Sequence, residues 1–136
     1  MNKILVLLDG SKNSLRGLKF ALGIAKQSGS SVIGLNVCSP PMFMETQSLI
    51  IHKIKQRSDE IVKQAEEISQ KNKVPFFGMV KVGSNIGKTI IAYSKNQNVE
   101  MIVTGSRGPD PEFEIFLGSV ANHIINKSKI PVTIVK

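Results

Sequence analysis

Cysteine is nearly absent from this chain of 136 residues, because Cys38 is the only one. No intrachain disulfide can form, and no cysteine cluster can hold zinc or an iron–sulfur centre. Long hydrophobic runs are missing too, and the apolar opening segment reaches the charged Asp9 too early for a signal sequence. We therefore expect a cytoplasmic protein without a membrane segment or a redox centre.

Aromatic residues are scarce, with no tryptophan and one tyrosine, whereas the net charge is +8. A basic excess of this size attracts polyanions, but nucleic-acid binding usually also needs aromatic rings on which bases stack. The lysines are spread along the whole chain rather than clustered. We expect a solvated basic surface; a nucleic-acid-binding module is the alternative, and a steep salt dependence of binding would support it.

Five β-rich runs, most of them apolar nearly throughout, alternate with four helical patterns along the chain. Strands of this kind are buried on both faces, which favours a parallel sheet covered by helices. Right-handed crossovers then predict one α/β domain over residues 1–136, a doubly wound, Rossmann-like sheet that binds ligands at the carboxyl ends of its strands. The predicted strands are Lys3–Leu8, Ser31–Cys38, Pro75–Lys81, Met101–Gly105 and Pro131–Val135.

The most informative segment is Gly105-Ser-Arg-Gly108, followed after nine residues by Gly118-Ser119. It lies between an apolar strand and a short amphipathic helical pattern. Glycines let backbone N–H groups approach an anion closely, and a helix start capped by Ser119 presents further donors and a positive dipole end. Arg107 adds a charge-assisted contact. Taken singly, each glycine also fits a simple turn, but together they predict a phosphate site.

This segment resembles the G-x2-G-x9-G-(S/T) motif of the ATP-binding members of the universal stress protein family. The opening Ile-Leu-Val-Leu-Leu-Asp-Gly-Ser, the Leu-Asn-Val of the second strand and the closing Lys-Ile-Pro-Val-Thr-Ile-Val resemble the same family. The resemblance implies a five-stranded parallel sheet of the adenine nucleotide alpha hydrolase type, an ATP, ADP or AMP site and a homodimer. The binding residues that it implies are Leu8, Asp9, Val37, Thr104, Gly105, Ser106, Arg107, Gly108, Gly118, Ser119 and Val120.

The loop inside the motif departs from many relatives, because Pro109-Asp-Pro-Glu112-Phe-Glu114 is stiff and acidic. Like charges weaken triphosphate binding or call for a divalent cation such as Mg or Mn beside the phosphates. AMP or ADP is therefore expected to be preferred over ATP.

No catalytic base accompanies the glycine motif, so the favoured function is a nucleotide-binding regulatory switch in a stress response that a downstream protein partner reads. Slow ATP hydrolysis or phosphoryl transfer is the enzymatic alternative. An adenylyl-transferring enzyme of related fold would need a His-x-Gly-His signature, which the sequence lacks. The homodimer is expected to form through the final strand at a sheet edge, with Val132, Ile134 and Val135 at the interface.

Three further features could suggest a chemical role, but the sequence favours a structural role for each. Gly83-Ser-Asn-Ile-Gly87-Lys-Thr has one residue too few between its glycines for a Walker A loop, so it predicts a helix start capped by Ser84 or Asn85. His52 and His123 lie within predicted helices and suggest packing or surface roles. Cys38, at the end of an apolar strand, is expected to be a small buried side chain.

Overall fold

The computed structural model describes residues 2–39, 48–106 and 118–136, in which strands and helices alternate. The predicted alternation is confirmed. The elements, in chain order, are β1 (Lys3–Leu7), α1 (Lys12–Ser28), β2 (Ser31–Cys38), α2 (Ser48–Lys71), β3 (Phe76–Val82), α3 (Ile86–Asn96), β4 (Met101–Gly105), α4 (Ser119–Lys127) and β5 (Val132–Val135).

Two strands begin one residue later than the sequence predicts, after Pro75 and after Pro131. Proline has no N–H to give to a sheet, so it marks the border of a strand. Both prolines nevertheless pair through their carbonyl groups, since Pro75 accepts from the N–H of Val32 and Pro131 from that of Ile102, each at 2.9 Å. At the other end of the first strand, regular pairing stops at Leu7, and Leu8 opens the following turn.

The five strands form one parallel sheet in the order β3-β2-β1-β4-β5. From β1 the chain first winds outward through β2 to β3 and then returns to the other side for β4 and β5. The winding direction thus reverses between β1 and β4, which is the switch point of a doubly wound sheet. The doubly wound parallel fold predicted from the sequence is confirmed, and the final strand does lie at a sheet edge.

Two apolar layers cover the sheet, and neighbouring residues of β1 belong to different layers. Ile4 and Val6 pack with residues of α1 and α2, whereas Leu5 and Leu7 pack with residues of α3 and α4. Because side chains alternate across a strand, a strand buried on both faces must be apolar at every position. Each fully buried leucine or isoleucine stabilises such a core by about 1.5–3 kcal/mol.

Helix α1 has a clear start and a clear end. Ser11 is its N-cap, and its Oγ accepts from the N–H of Ser14 at 3.1 Å. Gly29 ends the helix in the left-handed region at φ 73°, where glycine carries no steric penalty.

The segment that resembles a Walker A loop is a helix start, as predicted. Asn85 is the N-cap of α3, and its Oδ1 accepts from the N–H of Lys88 at 3.0 Å. A Cβ at Gly87 would collide with the imidazole of His123 in α4. The glycine is therefore explained by the close approach of the two helices rather than by a phosphate.

No stretch of helix within the described ranges combines the length and the hydropathy that crossing a membrane requires.

Candidate functional site

A cleft of about 390 Å³ opens at the carboxyl ends of β1, β2 and β4, at the switch point of the sheet. The first turns of α1, α3 and α4 border it. Eight of the eleven residues that the sequence assigned to a binding site line this cleft: Leu8, Asp9, Val37, Thr104, Gly105, Gly118, Ser119 and Val120. The other described lining residues are Leu7, Ser14, Leu35, Asn36, Ile86, Ile90 and Ala121.

The remaining three predicted residues have different positions. Ser106 does not line the cleft; its N–H donates to the carbonyl of Val135 at 3.0 Å, and its own carbonyl accepts from Gly118. Arg107 and Gly108 lie outside the described residues, as do the acidic loop that follows them and the Pro40-Pro41 segment.

Asp9 follows β1 directly and has a structural role besides its place in the cleft. Its Oδ1 accepts from the N–H of Ser11 at 2.8 Å, which closes a tight turn at the start of α1. The chain can make this turn because Gly10 has a φ of 86°, in a region that side chains rarely allow. The carboxylate is exposed to solvent beside the cleft, and one oxygen keeps its capacity to accept from a ligand.

Asn36 fixes the strand end from which Asp9 projects. This buried amide donates from Nδ2 to the carbonyl of Leu8 at 2.7 Å, and its Oδ1 faces the thiol of Cys38. Leu8 in turn donates its N–H to the carbonyl of Leu35 at 2.8 Å. The sequence prediction missed Asn36, although a single amide within an otherwise apolar strand is a signal that was available.

Cys38 is buried, as predicted, and its sulfur lies against the hydroxyl of Ser58 in α2. Both side chains are covered by the packing of α2 on the sheet. Cys38 therefore belongs to the polar contacts between β2 and α2 and does not line the cleft.

The start of α4 differs from the prediction in one respect. The sequence indicated Ser119 as the cap, but the N-cap is Gly118, with φ −60° and ψ 156°, and no side chain caps the helix. The backbone leaves the extended region only after Gly118, so Ser119 is already the first helical residue. Its exposed hydroxyl lies on the rim of the cleft.

One backbone N–H at this helix start is bonded within the fold, and three others lie beside the cleft. The N–H of Gly118 is used internally, because it donates to the carbonyl of Ser106 at 2.8 Å. The first bond within the helix runs from the N–H of Asn122 to the carbonyl of Gly118 at 2.9 Å. The N–H groups of Ser119, Val120 and Ala121 consequently have no partner within the helix, and they lie at its positive end beside the cleft.

Gly105 ends β4 and lies against the first turn of α1. A Cβ at this position would lie 2.9 Å from the Cβ of Asn13. This residue therefore allows the helix to pack against the strand end, in addition to lining the cleft. Beside it, Thr104 is buried and its hydroxyl donates to the carbonyl of Gly105 at 3.2 Å.

The walls of the cleft are apolar on the side of β2 and α3. Leu35 and Val37 of β2 and Ile86 and Ile90 of α3 line it there, and all four belong to the same apolar layer. Among the described lining residues, Asp9 is the single charged group, so this part of the cleft offers one carboxylate and no lysine or arginine.

Within the described ranges, no group of three or more histidine, cysteine, aspartate or glutamate side chains is placed to hold a metal ion. The described lining of the cleft contributes Asp9 as its only candidate ligand of this kind.

Comparison with known sequences gives one consistent result. The sequence model of the Universal stress protein family matches residues 1–136. Universal stress protein MJ0531 of Methanocaldococcus jannaschii is 27% identical over 139 residues, which cover 98% of this chain and 81% of the relative. Universal stress protein YxiE of Bacillus subtilis is 29% identical over 148 residues, which cover 99% of each chain.

Solved structures share the fold over nearly the whole chain. UspA from Lactobacillus plantarum has a TM-score of 0.88 at 17% identity and covers 99% of this chain and 97% of its own. A universal stress protein from Archaeoglobus fulgidus, solved in complex with dAMP, has a TM-score of 0.75 at 22% identity, covering 100% and 98%. A family protein from Arabidopsis thaliana, solved with AMP bound, has a TM-score of 0.77 at 16% identity, covering 100% and 92%.

Proposed function

The chain belongs to the universal stress protein family, and we propose that it binds an adenine nucleotide in the cleft at the ends of β1, β2 and β4. The observation that carries this proposal is the convergence of eight predicted residues, from three strand ends and one helix start, on that cleft. The complexes of the Archaeoglobus fulgidus protein with dAMP and of the Arabidopsis thaliana protein with AMP, both of this fold, support it. A volume of about 390 Å³ lies within the range of small-molecule sites.

The adenosine part fits the apolar side of the cleft. Val37, Ile86 and Ile90 offer the flat, apolar walls that an adenine ring needs, and the main chain at Val37 offers polar groups to its edge. The carboxylate of Asp9 can accept from ribose hydroxyls while its other oxygen keeps the turn to Ser11. The amide of Asn36 holds the Leu8 carbonyl and so keeps this end of the site in place.

The phosphate part fits the start of α4, where three N–H groups have no partner within the helix. The described lining adds no cationic side chain to these donors, and Asp9 contributes a negative charge. Arg107, outside the described residues, is the predicted cationic contact, but the segment that follows it carries Asp110, Glu112 and Glu114. Like charges in that segment disfavour longer phosphate chains, so we propose AMP or ADP as the preferred ligand. A Mg or Mn ion that accompanies a longer phosphate chain would take its ligands mainly from the phosphates, because the described lining supplies a single carboxylate.

We further propose that residues 1–136 act as one domain, as a homodimer in the cytoplasm. Nucleotide occupancy would bias the surface that a downstream partner reads in a stress response. The dimer is assigned to β5, which forms one edge of the sheet with Val132, Ile134 and Val135 half-buried. The cytoplasm suits a chain whose single cysteine excludes an intrachain disulfide.

Native mass spectrometry of the purified protein, followed by calorimetric titration with AMP, ADP and ATP, tests the binding proposal. We expect either a retained adenine nucleotide or saturable binding that weakens from AMP to ATP in the absence of divalent cations. GMP is the matched control ligand, because it has the same phosphate and ribose but a different base edge. A protein that retains no nucleotide and binds none of the three adenine nucleotides would overturn the proposal.

A further inference from the structure

A second groove lies between α3 and α4 and shares no lining residue with the nucleotide cleft. Its volume is about 410 Å³. It is lined by Lys88, Ile91, Ala92, Lys95, Asn96, His123 and Lys127, and we refer to it as the α3–α4 groove. Neither the glycine motif nor the proposed dimer edge uses these side chains.

The charge of the α3–α4 groove has one sign. Lys88, Lys95 and Lys127 are all exposed, and neither α3 nor α4 contains an aspartate or a glutamate. Of the six acidic residues that the structure describes, four belong to α2 on the opposite face of the sheet, and the other two are Asp9 after β1 and Glu100 before β4. Within the described ranges the one ion pair joins Arg57 and Glu60, so none of the three groove lysines is paired there. Lysines that are not paired with carboxylates attract an anionic partner and discriminate against a cationic one.

The lining residues of α3 are spaced to contact the side chains of a second helix packed along it. Lys88 and Lys95 are seven residues apart on α3, which places them about 10.5 Å apart along the helix axis at 1.5 Å per residue. Ile91 and Ala92 lie between them, three and four residues after Lys88, and form an apolar floor. A second helix laid along α3 presents its own side chains with this same repeat.

We propose that the α3–α4 groove binds an acidic amphipathic helix of a partner protein. Two carboxylates of that helix, seven residues apart, would pair with Lys88 and Lys95, and the apolar side chains between them would pack on Ile91 and Ala92. Lys127 from α4 supplies the opposite cationic wall. Single-stranded nucleic acid suits this groove less well, because no phenylalanine, tyrosine or tryptophan lines it and its one ring, the imidazole of His123, is packed against Gly87. The inference does not depend on nucleotide binding.

The test starts from the full chain and an unbiased probe, a phage-displayed library of helical peptides. Selected peptides are then synthesised with a fluorescent label and titrated by anisotropy. The groove variant is Lys88→Glu with Lys95→Glu. The matched control is Lys19→Glu with Lys26→Glu, because these exposed lysines of α1 have the same spacing and give the same change in net charge.

We expect selected peptides to carry acidic residues seven apart with apolar residues between them. Their affinity should fall at least about tenfold, or about 1.4 kcal/mol, in the groove variant and stay within about twofold in the control. Ala92→Glu, a substitution at an exposed residue of the groove floor, should weaken binding as well. It provides an independent test if the double variant misfolds.

Three results would overturn the proposal. The first is equal loss of affinity in the groove and control variants, which would leave net charge as the sole cause. The second is a selection that yields no peptides or only peptides without the acidic pattern. The third is a labelled single-stranded oligonucleotide that displaces the peptides and loses affinity with the groove lysines, which would identify a nucleic-acid surface instead.

Discussion

Replacing Asp9 separates its role in the turn before α1 from the role in nucleotide binding that we propose for it. Asp9→Ala removes the oxygen that accepts from Ser11 N–H at 2.8 Å, and it also removes the carboxylate from the cleft. Asp9→Asn keeps an oxygen for the turn and loses only the charge. Ser11→Ala is the matched control, because it removes the cap of α1 while Ser11 does not line the cleft.

The expected magnitudes follow from the contacts. A hydrogen bond to a charged group contributes about 1–3 kcal/mol, so Asp9→Ala should weaken AMP binding roughly five- to 150-fold. Asp9→Asn should fall between the parent and the alanine variant. The order of preference among AMP, ADP and ATP should not change, because Asp9 is assigned to the ribose. Ser11→Ala should lower the free energy of unfolding by about 1 kcal/mol and leave the AMP affinity as it is.

Calorimetric titration with AMP measures the affinities, and thermal unfolding followed by circular dichroism measures the stabilities. If Asp9→Ala bound AMP as tightly as the parent and lost only stability, Asp9 would be a turn residue and nothing more. If Ser11→Ala lost affinity to the same extent, the shape of the turn rather than the carboxylate would be what the nucleotide requires.

Three further predictions concern the helix start, the sheet edge and the contact of α3 with α4. Gly118→Val should abolish nucleotide binding and keep the far-ultraviolet circular dichroism. The backbone angles of Gly118, φ −60° and ψ 156°, suit valine, but the valine side chain adds bulk beside the N–H donors. A variant that binds AMP normally contradicts the phosphate assignment. Ile134→Lys should weaken dimerisation in sedimentation velocity, whereas Phe77→Lys on the opposite edge strand should not; a monomeric parent, or equal loss in both variants, rejects the β5 interface. Gly87→Ala should lower the unfolding free energy by about 1–3 kcal/mol in thermal denaturation, because the added Cβ would collide with His123. Gly23→Ala is the control, since open space surrounds this residue of α1, and it should raise the unfolding free energy by up to about 1 kcal/mol. A Gly87→Ala protein with the stability of the parent would contradict the packing explanation.

The sequence predicted the fold class well because the responsible signals are local. Alternating strands and helices were readable from apolar runs and from helical patterns. The strand order was not readable, since it depends on which crossover turns to which side of β1. The cap of α4 was misplaced by one residue because Gly118 and Ser119 both suit a helix start, and only the backbone angles distinguish them.

Residues of the cleft were predictable where they belong to a motif. Their structural contacts were not predictable, because these involve residues distant in the chain. Asn36 lies in the family-like Leu-Asn-Val segment but was not assigned to the site, and its importance follows from the Leu8 carbonyl, 28 positions earlier. In the glycine motif, Gly105 makes room for Asn13, and Gly118 gives its N–H to Ser106. Two glycines that the pattern assigns to phosphate binding therefore also hold α1 and α4 against β4. The hydrogen bond from Gly118 to Ser106 holds the start of α4 beside the end of β4, so a change that breaks it would displace the N–H groups of Ser119, Val120 and Ala121 and would disturb the fold and the proposed nucleotide site together.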